Sequence, residues 1–166
     1  AAGDFSVAIG QESKTAAGGE YATALGYKSE ASGRSSFAQG AFASASGGGS
    51  ISIGDSSKAT ANDTIAIGVK SEANSGRSVA IGMFAKTSGV DATALGYKSE
   101  ASGRASFAQG ANASASGDAS ISIGEYSSAT GEQSISVGKG NIVSGKNSAA
   151  IGNPSNISGN NSYSLG

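Results

Sequence analysis

The chain has 166 residues and a net charge of −1, its eleven basic and twelve acidic residues scattered rather than grouped, so it lacks the electrostatic footprint of a nucleic-acid or anionic-membrane binder. It has 27 Gly but no Cys and no His, which excludes a disulfide framework and thiolate or imidazole chemistry. Hydrophobic residues reach 37%, mostly Ala and Ile, so a core of large side chains is not available, and the longest apolar runs are too short to span a bilayer.

The first element in the chain is Ser6–Gly10, "SVAIG". In a strand, Val7 and Ile9 point one way and Ser6 and Ala8 the other. The same five letters return at 78–82, and pentads ending in Gly recur at Gly10, Gly26, Gly40, Gly54, Gly68, Gly82, Gly96, Gly110, Gly124, Gly138, Gly152 and Gly166. After one 16-residue step every spacing is 14, the signature of a solenoid whose coils stack on one another. A longer echo lies over it: Ala22–Gly54 matches Ala92–Gly124 at 29 of 33 positions, an offset of 70 residues or five coils.

Two and four residues before each terminal Gly the columns hold only Ala, Ser or Thr, as at Ser78 and Ala80. These are the interior columns. Alternation places the columns three and one residues before Gly on the opposite face: Val7 and Ile9, Leu25, Phe37 and Gln39, Ile51 and Ile53, Ile65 and Ile67, Val79 and Ile81 in the first half. Leu95, Phe107 and Gln109, Ile121 and Ile123, Ile135 and Val137, Ile151 and Leu165 continue it.

The second half of each repeat reads as another strand, with small inward residues such as Ser57 and Ala59 around an outward polar column of Lys14, Glu30, Lys58, Glu72, Lys86 and Glu100. That strand faces water on its outer side. A second Gly, as at Gly33, Gly47, Gly89 and Gly103, falls where the coil turns back and is expected to supply a positive φ. Residues larger than Thr are expected to be excluded from the gap between the two strands. Twelve rungs at roughly 4.8 Å each make a rod about 50 to 55 Å long.

The Val/Ile stripe lies outside its own roll and runs the length of one chain, more apolar surface than a soluble monomer tolerates. About 1.5 to 3 kcal/mol per buried aliphatic side chain favours self-association into a closed cyclic assembly. Periodicity leaves open whether that assembly has two, three or four chains.

"SVAIGQES" (6–13), "TIAIGVKS" (64–71), "SVAIGMFA" (78–85) and "NSAAIGNPS" (147–155) resemble the repeat of YadA-like head domains of trimeric autotransporter adhesins. The resemblance runs over essentially the whole chain. It implies an all-β fold, a left-handed parallel β-roll solenoid of 14-residue coils, assembled as a parallel homotrimer around the hydrophobic strands. It also implies a single head fragment, residues 1–166, at the tip of a fibre on a Gram-negative bacterial surface, extracellular, with stalk and outer-membrane anchor outside this sequence. Both ends read as cuts through a longer stack, and any targeting segment is expected elsewhere.

By the same resemblance the expected function is multivalent attachment to host cell surface or matrix proteins such as collagen, fibronectin or laminin. A structural spacer that projects another adhesive module is the alternative. The family's collagen-associated motif maps onto Ser6, Val7, Ala8, Ile9, Gly10 and Ser13, and onto Asn147, Ser148, Ala150, Ile151, Gly152 and Ser155, but the stripe argument assigns its Val and Ile to assembly. Gln39 and Gln109 are expected to form polar layers in the trimer core, and ligand contact is expected at the outward aromatic turns, Tyr27, Phe42, Met83, Phe84, Tyr97 and Tyr126. The acidic residues lack the paired setting of general acid–base catalysis, and "GGGS" at 47–50 lacks the Lys-Ser/Thr of a phosphate loop. Neither an enzyme activity, a metal nor a cofactor is expected.

Overall fold

The computed structural model describes all 166 residues. Twelve three-residue strands, from Val7–Ile9 to Tyr163–Leu165, form one sheet, and eleven two-residue strands, from Lys14–Thr15 to Asn156–Ile157, form the other. Strands of the two sheets alternate along the chain, so neighbours within a sheet are successive coils paired in parallel: Ala80 lies between Ala66 and Ala94. The one 16-residue step keeps the same alignment, with Ala8 opposite Ala24. The all-β parallel solenoid expected from the spacing is therefore the fold.

The interior is made of very small side chains. Ala24, Ala38, Ala66, Ala80, Ala94 and Ala108 are fully buried, and so are Ser50, Ser52, Ser78 and Ser122. Hydroxyls pair across the gap, Thr87 Oγ1 donating to Ser78 Oγ at 2.8 Å and Ser52 meeting Ser57 at 2.7 Å. Ser36, Ser50, Ser106 and Ser120 face Ala nine residues on, at Ala45, Ala59, Ala115 and Ala129, and their Oγ atoms have no partner.

Near the C-terminal end the interior departs from the expected size limit. Asn141 and Val143 are fully buried and Ile157 is nearly so. Asn141 is accommodated because its amide is hydrogen-bonded at both ends, Nδ2 to Val137 O at 2.8 Å and Oδ1 from the Ser155 N–H at 2.8 Å; Val143 and Ile157 stack in register on each other.

The corners also depart from expectation. Most are four-residue turns closed by a backbone bond, as Ser29 N to Gly26 O and Ser36 N to Gly33 O, with positive φ at the third residue; the corner at Gly152, with Pro154 third, has neither. Positive φ thus falls at Lys28, Phe42, Lys70, Phe84 and Lys98 on one corner and at Ser35, Asp63, Arg77 and Asp91 on the other, while the terminal glycines, Gly152 at 106° excepted, sit near +130°. The second glycines, Gly33 and Gly103 among them, do not adopt positive φ. They serve close approach instead. A Cβ on Gly33 would collide with the carbonyl of Gly47, and one on Gly103 with that of Gly117. From Gly33 to Gly145, where that corner holds Gly, its N–H makes a bond to the next coil, as Gly33 N to Ala45 O at 3.3 Å and Gly103 N to Ala115 O at 3.4 Å; Ala61 and Ser75, in the same column, make none. The αL strain of the non-glycine corner residues, about 1–2 kcal/mol each, is held by the stack: Lys28 N–H donates to Gln11 O and Phe42 N–H to Tyr27 O, both at 2.9 Å.

Candidate functional site

Three surfaces run along the rod. The first is the outer face of the three-residue strands, where the structure collects the expected apolar columns into one in-register band. Ile51, Ile65 and Val79 are stacked partners, as are Ile53, Ile67 and Ile81. Neighbours above and below leave the middle of the band half-buried, but Ile81 remains 39% exposed and Ile151 44%. Gln39 lies between Leu25 and Ile53, and Gln109 between Leu95 and Ile123; both are exposed in the single chain, whereas Phe37 and Phe107 are half-buried. Nothing within the chain covers this band.

The second surface is the outer face of the two-residue strands. Its stacked column reads Lys14, Glu30, Ser44, Lys58, Glu72, Lys86, Glu100, Ser114, an alternation of sign that sets opposite charges against each other. Lys58 reaches Glu72 at 3.9 Å. On the far corner the same stacking makes Arg77 bidentate to Asp91, at 2.6 and 2.8 Å, and brings Lys146 to Glu132 at 2.8 Å. The Arg77 hydrogen bond holds the Asp91 carboxyl below its ordinary range, and Asp91 raises Arg77; bonding to Glu125 likewise raises Lys139. These pairs are exposed and lock register weakly.

The third surface is the corner after each terminal Gly, and here the expected aromatic residues come together in pairs. Tyr27 meets Phe42 edge-on at 5.3 Å between centroids, and Phe84 meets Tyr97 at 6.2 Å. Lys28 Nζ lies 5.2 Å from the Tyr27 centroid, Lys98 Nζ 5.2 Å from Tyr97 and Lys70 Nζ 5.7 Å from Phe84, within cation–π range. Met83 and Tyr126 are exposed on the same corner, Tyr126 apart from these pairs. An open groove beside Phe84 is lined by Ser56, Lys58, Lys70, Glu72 and Lys86. Lys70 was not legible as a site residue in the sequence; its signal is its position one coil before Phe84 in the same column.

No three His, Cys, Asp or Glu residues converge as a metal site. The chain's surface is a set of repeated lateral columns.

A family model described as the YadA head domain repeat, in two copies, matches nine segments of this chain, most of them overlapping, from 1–13 and 17–43 through 129–155. The chain belongs to the YadA head-domain family. Among solved structures it is similar to the collagen-binding domain of the Yersinia adhesin YadA, at 32% identity and a TM-score of 0.73, over 82% of each chain. No curated protein sequence matches it significantly. Successive YadA-head segments advance mostly by one coil, as from 31–57 to 45–71, so the family repeat and the structural coil coincide. Family and fold are those of an adhesin head.

Proposed function

We propose that this head works as a homotrimer that attaches a Gram-negative bacterium, through an outer-membrane-anchored fibre, to host matrix or cell surface, with collagen the first candidate ligand. The observation that carries this reading is the similarity to the collagen-binding domain of Yersinia YadA over most of both chains. The uncovered apolar band supports the assembly. Val7, Ile9, Leu25, the Ile51–Ile67 group, Val79, Ile81 and their C-terminal counterparts would turn toward a common axis, with Gln39 and Gln109 as polar layers in it. Burying them removes apolar area at about 25 cal/mol per Å², and a threefold rod multiplies weak lateral contacts into avidity.

In this arrangement the Val and Ile of the SVAIG motif are assembly residues, and a ligand meets the corners and the charged face. Binding of the folded chain to immobilised collagen, fibronectin and laminin tests the reading, with saturable binding to at least one expected. Uniform absence of binding would leave a spacer that carries another adhesive module.

A further inference from the structure

We propose that the corner strip formed by Lys58, Lys70, Phe84, Lys86, Tyr97 and Lys98 binds a linear anionic polysaccharide, its sugar rings lying on the aromatic faces and its sulfate or carboxylate groups on the lysines. The strip does not depend on the collagen reading. Three lysines and one glutamate line the groove beside Phe84, a local excess of positive charge on a chain whose net charge is −1. Lys58 is engaged by Glu72 at 3.9 Å. Lys70 and Lys98, by contrast, rest over the Phe84 and Tyr97 rings.

The duplication makes the comparison internal. Lys28, the earlier copy of Lys98, has Glu12 one coil before it at 3.7 Å, whereas the residue in that place before Lys98 is Phe84. An acid that neutralises the first copy is thus replaced by an aromatic platform in the second. Phe84 and Tyr97 expose 40% and 41% of their surface, apolar area that a sugar ring reaches once Lys70 and Lys98 swing off the rings to its acid groups.

The lysines repeat in two staggered columns. Lys58 and Lys86 are two coils apart with Glu72 between them, and Lys70 and Lys98 two coils apart with Phe84 between them, a separation of roughly 9 to 10 Å along the rod. That is a spacing suited to charges on alternate sugars of a chain lying along the axis. An acidic peptide fits less well, because extended peptides gain affinity from free main-chain groups at a sheet edge. Here those groups are already used between coils: Lys70 N–H donates to Asp55 O at 2.8 Å, Phe84 to Val69 at 2.9 Å and Lys86 to Ser99 at 2.9 Å.

The test is equilibrium binding of the folded 166-residue chain to two immobilised probes, a heparin octasaccharide bearing sulfate and carboxylate and an oligogalacturonate bearing carboxylate alone; binding of one or both separates the two sources of charge. Variants are Lys70→Asn with Lys86→Gln, Lys86→Gln alone, Phe84→Asn, and Lys139→Gln on a distant coil as a control that removes the same single charge as Lys86→Gln. Asn suits the positive φ of 54° and 60° at positions 70 and 84, and Asn112 already holds the corresponding place in another coil. The expected result is at least a tenfold loss for the lysine pair, at least threefold for Phe84→Asn, and less than twofold for Lys139→Gln, with unchanged circular dichroism. If the double variant unfolds, Lys86→Gln alone is expected to lose at least threefold. No binding to either probe, an equal loss with Lys139→Gln, an unchanged Phe84→Asn, or equal competition by a glutamate octapeptide each overturns the proposal.

Discussion

Asn141 accepts the backbone N–H of Ser155, one coil away, through Oδ1 at 2.8 Å, directly beside the only proline in the chain. In preceding coils the residue in the place of Pro154 donates its own N–H to the coil before, as Gly140 does to Glu125 O at 2.9 Å. Pro154 has no N–H to give, and the interior amide of Asn141 joins the two coils where that bond is lost. Asn141→Ala is expected to destabilise the chain by about 1–3 kcal/mol by leaving a partly buried N–H unpaired. Thermal or urea unfolding and faster amide exchange at Ser155 would show it, while Asn156→Ala, on an exposed strand position, should stay within about 0.5 kcal/mol.

The exposed apolar band predicts a difference between two aspartate substitutions. Ile81→Asp places a charge in the stripe between Ile67 and Leu95 and is expected to abolish self-association. Ser44→Asp lies on the polar column between Glu30 and Lys58 and should leave association intact. Sedimentation equilibrium reads both; an associating Ile81→Asp chain would remove the assembly role of the band.

Corner glycines are predicted to differ by whether a Cβ has room. Gly103→Ala drives a methyl into the Gly117 carbonyl and should cost about 1–3 kcal/mol as the coil shifts to admit it. Gly18 has open space around its Cβ direction and no positive φ, so Gly18→Ala should be neutral or stabilising by up to about 1 kcal/mol through the unfolded chain. Urea midpoints compare the two directly.

Interior serines should divide by partner. Ser50 Oγ is buried without one, so Ser50→Ala is expected to be neutral or slightly stabilising. Ser78→Ala strips the acceptor from buried Thr87 and should cost about 1–3 kcal/mol. Equal effects in thermal melts would contradict the assignment.

Asp91 carries a pH prediction. Its folded pKa is lowered by the Arg77 hydrogen bond, so the pair stabilises above the unfolded carboxylate value of about 3.9 and that contribution disappears as pH falls through the lower folded value. Carboxyl titration by NMR should find Asp91 below the ordinary range in the native chain and back within it after Arg77→Gln.

The period of 14 residues, the two strands per coil and the facing of their side chains were legible because small and large residues alternate at the strand period in every repeat; Ser78 and Ala80 against Val79 and Ile81 suffice to orient the coil. The aromatic corner could also be read, since Tyr27, Phe42, Phe84 and Tyr97 lie one or two residues after turn-forming glycines. What the chain order alone could not show depends on contacts between coils. Gly33 and Gly103 announce a turn in sequence, yet the carbonyl of the next coil, not φ, is what excludes a side chain there. Asn141 breaks the interior rule, and only the stack shows the amide partners that permit it. Lys70 joins Phe84, and Arg77 joins Asp91, because each lies one coil from its partner. Local alternation determines a strand's two faces within a few residues; distances between residues 14 apart exist only once parallel coils have stacked in register.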